Sequence, residues 1–307
     1  MAATTQRSTT TTQSSNGVDE LLFHNDSVSL CLLVNRRNRT VRVIDFRAGP
    51  TLAKRNFVIA AAKREGIEKV FVLVERDEVG TWMRLGFHRE GSIPGFYKRS
   101  DAWLMGAVVA DVGPMRPETV FDDDDDLDDD EPNVALETAN KLVEKAKRLA
   151  KDDKPVPATK IAPMKRDACA KAVAAALKAN RALTAFEPFS RDAERVAHVV
   201  TGKGGFELVT SYELQPSFGS AFFEVLTSPR DEAERLLTIS ALRSLAATLV
   251  DAGAVSAFTM APADDLLLSA ALIGAGFRKS AVLASHIVVA NKRRDAIVWA
   301  KRLVGEN

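Results

Sequence analysis

Leu85-Gly86-Phe87-His88-Arg89-Glu90-Gly91-Ser92-Ile93-Pro94-Gly95-Phe96-Tyr97, closed by Asp101-Ala102-Trp103-Leu104-Met105, is the stretch whose reading decides the fold. A short helical run precedes Gly86-Phe87 and an extended run follows it. Pro94-Gly95 is a turn dipeptide, because proline presets its own φ and glycine accepts the positive φ that a type II turn requires. The β-prone run 102–109 then resumes, so the stretch reads helix, glycine hinge, strand, turn, strand. The same syntax returns at Ala275-Gly276-Phe277, which ends a helical run and opens extended segments over 281–290 and 297–303. The two Gly-Phe pairs lie 190 positions apart and the elements before each match in order. The architecture is therefore duplicated within the chain.

Working outward, residues 28–34 and 40–46 read as strands around the polar turn Asn35-Arg36-Arg37-Asn38. A helix runs from Gly49-Pro50-Thr51 to about Arg64 and ends at Gly66. Lys69-Val70-Phe71-Val72-Leu73-Val74 is too continuously apolar for a surface strand and belongs centrally in a covered sheet. Residues 77–85 form the short helix before Gly86, which completes a β-β-α-β-α-β-β order. In the second half helices are predicted over 164–181, 191–200, 231–251 and 264–274, with strands over 206–213, 220–226 and 255–260 before Gly276-Phe277. The helical pattern 134–151, stopped by Pro155 and Pro157, reads as a connector. These elements predict an α/β fold with a mixed sheet, built as two tandem units over 18–113 and 160–307. A disordered tail over 1–17 and an acidic linker with connector helix over 114–159 complete the organisation.

Composition narrows the function classes. With 46% hydrophobic and 27% charged residues, the chain is an ordinary globular protein. No apolar run reaches the roughly 20 residues of a membrane helix, and the Thr- and Ser-rich start is no secretory signal. Only Cys31 and Cys169 are present, with four scattered histidines, so neither a disulfide framework nor a metal site is indicated and a cytoplasmic setting follows. The net charge of +1 hides an asymmetry: residues 122–131 hold nine acids, and setting them aside leaves 42 basic against 32 acidic residues, or +10. Such a body could meet phosphorylated ligands or its own acidic segment. Nucleic acid and membrane are not expected partners.

The element order resembles the fold of the GNAT superfamily, the acetyl-CoA-dependent N-acyltransferases, and most closely the bacterial β-lysine N-acetyltransferases. Ser92-Ile93-Pro94-Gly95-Phe96-Tyr97 with Asp101-Ala102-Trp103-Leu104-Met105 looks like that family's N-terminal half. Thr259-Met260-Ala261 through Gly276-Phe277 keeps the length of its strand–helix–Gly-aromatic segment, and Ala296-Ile297-Val298-Trp299 is similar to its closing strand. The resemblance implies acetyl transfer to a small, lysine-like amine. Glu224 would be the base and Tyr212 the acid, with Leu226, Thr227, Arg235, Leu236 and Ser269 against acetyl-CoA and His286 near the substrate side. The plainer alternatives are a strand carboxylate facing solvent, a core tyrosine and a structural histidine. Gly202-Lys203-Gly204-Gly205 precedes a strand and reads as a hairpin turn rather than a phosphate loop. Arg47-Ala48-Gly49 is a second, weak anion-site candidate.

The sequence departs from that family where the cofactor binds. The family's R-x-x-G-x-G/A loop holds pyrophosphate on backbone N–H groups at a helix N-terminus. Here the loop is Thr227-Ser228-Pro229-Arg230-Asp231-Glu232-Ala233-Glu234-Arg235-Leu236, without glycine; Ala233 and Arg235 stand where the family has Gly and Glu232 where it has Arg. Pro262 replaces an Arg, Ser269 an Asn and Ser285-His286 an Asn-Asn pair. Two functions follow as expectations: an N-acetyltransferase, or a catalytically silent pseudoenzyme of the same fold acting as an interaction or regulatory module.

Overall fold

Fourteen strands lie side by side in one mixed sheet, and six helices pack on it among the described residues. The computed structural model describes residues 8–13, 17–24, 29–45, 51–112, 134–151, 154–191 and 194–304. The first half comprises β1 (Ser8–Gln13), β2 (Val18–His24), β3 (Ser29–Asn35), β4 (Thr40–Asp45), α1 (Leu52–Arg64), β5 (Lys69–Val74), α2 (Val79–Arg84), β6 (His88–Ile93) and β7 (Ala102–Val108). After α3 (Val134–Ala150) come β8 (Lys160–Pro163), α4 (Arg166–Lys178), β9 (Arg195–Thr201), β10 (Glu207–Gln215), β11 (Ser220–Val225) and α5 (Glu232–Asp251). β12 (Ser256–Pro262), α6 (Leu266–Gly274), β13 (Arg278–Val289) and β14 (Lys292–Arg302) follow.

The sheet runs β1-β2-β3-β4-β5-β7-β6 and continues β13-β14-β12-β11-β10-β9-β8, the second half repeating the first in reverse. Every neighbouring pair is antiparallel except β4–β5 and β11–β12, each joined by its crossover helix, α1 or α5. This is the expected mixed α/β fold in two units of like order. The two halves meet at one ladder pair, Ala281 with Gly91.

The duplicated Gly-Phe hinges have the same local cause. Gly86 has φ +83° and Gly276 +89°, the left-handed conformation that ends a helix cheaply only at glycine. Each following phenylalanine returns its N–H to the last turn, Phe87 to Trp82 O (3.2 Å) and Phe277 to Leu272 O (2.9 Å). Both rings are then buried. The Pro94-Gly95 turn forms as expected, with Gly95 at φ +65° and Phe96 N–H on Ile93 O (3.4 Å).

Strand alternation sorts the cores. Val41, Val43, Val70 and Val72 face α1 and α2, while Phe223, Ile297 and Trp299 face α3, α5 and α6. The helix-free faces of the halves share a third core: Phe71, Ile93 and Leu104 pack with Phe189, Phe222, Phe258 and Val298. The sheet is thus curled so that the uncovered faces close on one another. The Pro-Gly turn serves this junction, since Phe96 lies against Phe218 and Phe258 at 5.5 and 5.8 Å between ring centres.

Three expectations are corrected. Residues 8–13 of the expected tail form β1, whose six residues pair with β2. The helix expected over 191–200 is β9, because seven ladder pairs to β10 outweigh the helical propensity of its Ala- and Glu-containing start. Strands β2 and β8 stand where none was expected. The acidic run lies outside the described residues.

Candidate functional site

Strands β11 and β12 stay paired only from Ser220 to Phe222 against Ser256 to Phe258, then part. Glu224 lies just past the last pair, opposite Ser211 on β10 and on the helix-free face. Its side chain is 16% exposed, low enough for desolvation to govern its charge. Arg195 is held between two carboxylates: Nη1 donates to Glu224 Oε2 (2.6 Å) and Ser211 Oγ (2.7 Å), and Nη2 donates to Glu213 Oε1 (2.6 Å) and Glu187 O (2.6 Å). Glu213 also accepts from the Phe189 and Ser190 N–H groups, at 3.0 and 2.9 Å. Thr184 Oγ1 donates to the remaining oxygen of Glu224 at 2.7 Å.

One guanidinium cannot fully neutralise two buried acids with a third nearby. Burial lifts Glu224 to about 7; Arg195 draws it back only in part, and the Glu187 carboxylate pushes it up. Burial works against the Arg195 cation, but Glu224 and Glu213 together raise its pKa. Arg195 and Glu213 are the residues of this network that sequence reasoning missed. Reading residues 191–200 as a helix concealed that Arg195, Glu213 and Glu224 come from three adjacent strands.

Tyr212 and Glu224 are not brought together, which corrects the expectation of an acid–base pair. Tyr212 is the ladder partner of Phe223, so it shares the helix-covered face, whereas Glu224 shares the other face with Ser211. Tyr212 packs into the core with Val200 and Leu208 and stacks on His198 at 5.6 Å between ring centres. His286 does lie on the Glu224 side. It sits where the β13–β14 register shifts, edge-on to Phe71 at 4.7 Å, and burial holds its pKa down at about 3, with Lys69 and Arg293 adding to the effect. It is a neutral imidazole.

A cavity of about 440 Å³ lies between the N-termini of α5 and α6, bordered by Arg181, Ser228, Arg230, Asp264, Asp265 and Arg294; the expected cofactor residues Leu226, Thr227, Arg235, Leu236 and Ser269 are not among its lining. Both helix ends are already capped. Asp231 accepts the Glu234 N–H (2.9 Å), and Glu234 accepts the Arg230 N–H (2.7 Å) and its Nε (2.6 Å). Asp265 accepts the Leu268 N–H (3.0 Å) and the Ser228 hydroxyl. The Arg294 guanidinium pairs with Asp264. Arg235 is 1% exposed and forks onto Glu232 at 2.6 and 2.7 Å, turned inward rather than toward the cavity. Ser269 is fully buried in α6 with no hydrogen-bond partner for its hydroxyl among the described residues, and Leu236 packs against the helix-covered core.

The Leu226–Thr227 end of β11 is occupied as well. Ala182 bridges to Thr227, and the Leu183 N–H donates to Leu226 O at 2.8 Å. Leu183 and Pro262 border both this cavity and the one beside Glu224. Each helix start already gives one first-turn N–H, that of Glu234 or Leu268, to a side-chain carboxylate, the strand end is occupied, and the carboxylates at the start of α5 oppose a pyrophosphate; this arrangement does not fit a pyrophosphate-bearing cofactor. No helix among the described residues is long and apolar enough to cross a membrane, and no cluster of potential metal ligands occurs among them.

No family model matches the chain, and no curated protein matches it. Solved structures do. The ribosomal-protein-S18-alanine N-acetyltransferase of Escherichia coli is 17% identical at a TM-score of 0.35, over 48% of this chain and 97% of that one. A mutant spermidine N-acetyltransferase from Vibrio cholerae is 12% identical at 0.38, over 47% and 95%. A probable acetyltransferase of the GNAT family from Chromobacterium violaceum is 18% identical at 0.36, over 49% and 88%. At such TM-scores the similarity transfers no substrate or cofactor to this chain.

Proposed function

We propose that the chain is a catalytically silent protein of N-acyltransferase-like architecture, a pseudoenzyme acting as a binding or regulatory module. The observation that carries this is the carboxylate cap of α5: Asp231 accepts the Glu234 N–H, Glu234 accepts the Arg230 N–H, and their charges lie in the field that a phosphate would need. The N-cap Asp231 and the first-turn carboxylates Glu232 and Glu234 stabilise the helix and repel an anionic ligand. The faces that would present Glu224 to a substrate are instead closed on each other through Phe71, Phe189 and Phe222.

A second reading, an acetyltransferase acting on a small amine such as a lysine-like amino acid, is favoured by one observation. Glu224, lifted to about 7, has the proton affinity a general base needs near neutral pH. Calorimetry of the full chain with acetyl-CoA at moderate salt separates the two. The pseudoenzyme reading expects no binding in the micromolar range. Stoichiometric micromolar binding, lost in Ser228→Glu at the cavity wall, refutes it and restores the enzyme.

A further inference from the structure

The cavity beside Glu224 differs in kind from the one at the helix ends. It measures about 80 Å³ and is walled by both halves: Arg42, Asn38 and Phe71 from the first, Glu187, Phe189 and His286 from the second. At about 10–15 Å³ for each water in such a space, it holds several waters or an organic molecule of about five or six heavy atoms.

We propose that this cavity binds a small carboxylate that carries a neighbouring hydrogen-bond donor, the shared chemistry of a hydroxy acid and an amino acid.

Three buried polar atoms on its wall residues lack hydrogen-bond partners among the described residues: Arg42 Nε, Glu187 Oε1 and His286 Nδ1. Their chemistry sets the ligand. Arg42 is the uncompensated charge. It stacks its guanidinium 4.1 Å from the Phe189 ring centre and donates Nη1 to Phe189 O (2.6 Å), yet no carboxylate lies within ion-pair distance among the described residues. The other charges bordering the space have partners, Glu224 on Arg195 and Glu187 on Arg37 at 3.6 Å. A ligand that balances this wall therefore brings one negative charge to Arg42, and a carboxylate matches the fork of a guanidinium. Burial depresses Arg42 to about 10, and the more distant Tyr97 and Glu213 draw it back only in part.

Glu187 Oε1 calls for a donor. Its partner oxygen already accepts from the Ala185 N–H (3.1 Å), whereas Oε1 has only the distant Arg37. A hydroxyl or ammonium beside the carboxylate supplies that donor, while the neutral His286 can give or accept one further bond. Phe71, Phe189 and Phe222 bound the rest and limit the carbon skeleton. The site does not depend on whether acetyl-CoA binds, because Arg42 and Phe71 lie outside the α5 loop.

The test is calorimetry of the full chain with glycolate, glycine, acetate and methylammonium. Glycolate or glycine is expected to bind in the millimolar range or tighter, acetate more weakly for want of a donor, and methylammonium not at all. Glycine above glycolate identifies the amino acid as the source, and the reverse order the hydroxy acid. Arg42→Gln should weaken binding about thirtyfold or more, and Glu187→Gln should weaken glycine more than glycolate. Failure of all three carboxylates to bind the unmodified protein, or binding that Arg42→Gln leaves unchanged, overturns the proposal. If Arg42→Gln does not fold, the titrations of the unmodified chain still decide, since methylammonium binding without carboxylate binding is equally fatal.

Discussion

Lys69→Met tests whether the two halves behave as one body. Lys69 and Glu90 form an ion pair whose side chains are 2% and 7% exposed. The residue shift between Arg89 and Gly91 turns Glu90 inward, and its carboxylate also accepts the Ala284 N–H of β13 at 3.1 Å. This one carboxylate therefore ties β5 and β6 to the second half. Gly106 makes room for it, since a Cβ there would overlap Glu90 and approach Lys69 Nζ to 2.9 Å. Burial raises the Glu90 pKa, and Lys69 is the main opposing influence. Removing the cation leaves a buried charge unpaired, at a cost of about 3–5 kcal/mol. With a urea slope of about 3 kcal/mol/M for a chain of this size, the midpoint should fall by about 1 to 1.7 M. Tryptophan fluorescence can follow this, because Trp82 and Trp103 report the first half and Trp299 the second. The double variant Lys69→Met/Glu90→Gln should recover about half the loss or more, since no charge remains buried. A single variant no less stable than the double, or a midpoint that does not move, refutes the argument.

Other outcomes follow from the same groups. Glu224 binds its proton more tightly folded, about 7 against 4.5, so its contribution to stability falls as pH rises from 4.5 to 7, by about 3 kcal/mol at most; Glu224→Gln should abolish that slope in urea melts. His286 behaves oppositely: held near 3 against 6.5, it lets the unfolded chain bind the proton first. Stability should then fall by up to about 5 kcal/mol as pH drops from 6.5 to 3, and His286→Asn should flatten that limb. Gly91→Ala should cost about 2–3 kcal/mol in thermal melts, because Gly91 has φ +135° and a Cβ would come within 2.7 Å of Ser280 O at the Gly91–Ala281 ladder pair between the halves. An unchanged melting temperature would contradict the observed packing at that pair.

Some features were legible in the residues because their causes are local. The Gly86 and Gly276 hinges and the Pro94-Gly95 turn follow from which residues tolerate positive φ, and that preference acts within a few positions. The caps at the start of α5 have an equally local cause, since Asp231 and Glu234 take N–H groups within four positions. β9 was not legible in this way, because its Ala- and Glu-containing approach favours a helix until the β10 ladder is present. Edge strand β1 is written in Ser, Thr and Gln, with no apolar alternation to mark it.

The candidate site was decided only in three dimensions. Tyr212 and Glu224 are each readable as residues of strands, but whether they share a face depends on the register between β10 and β11. A slip of one residue would exchange the faces. Arg195 meets Glu213 and Glu224 only through two ladders. Arg42 reaches Phe189 O across 147 positions, and Asn38 accepts the Val288 N–H across 250. Contacts at such separations leave no period in the sequence; they exist because the sheet curls and brings two helix-free faces, one from each half, around the same cavity.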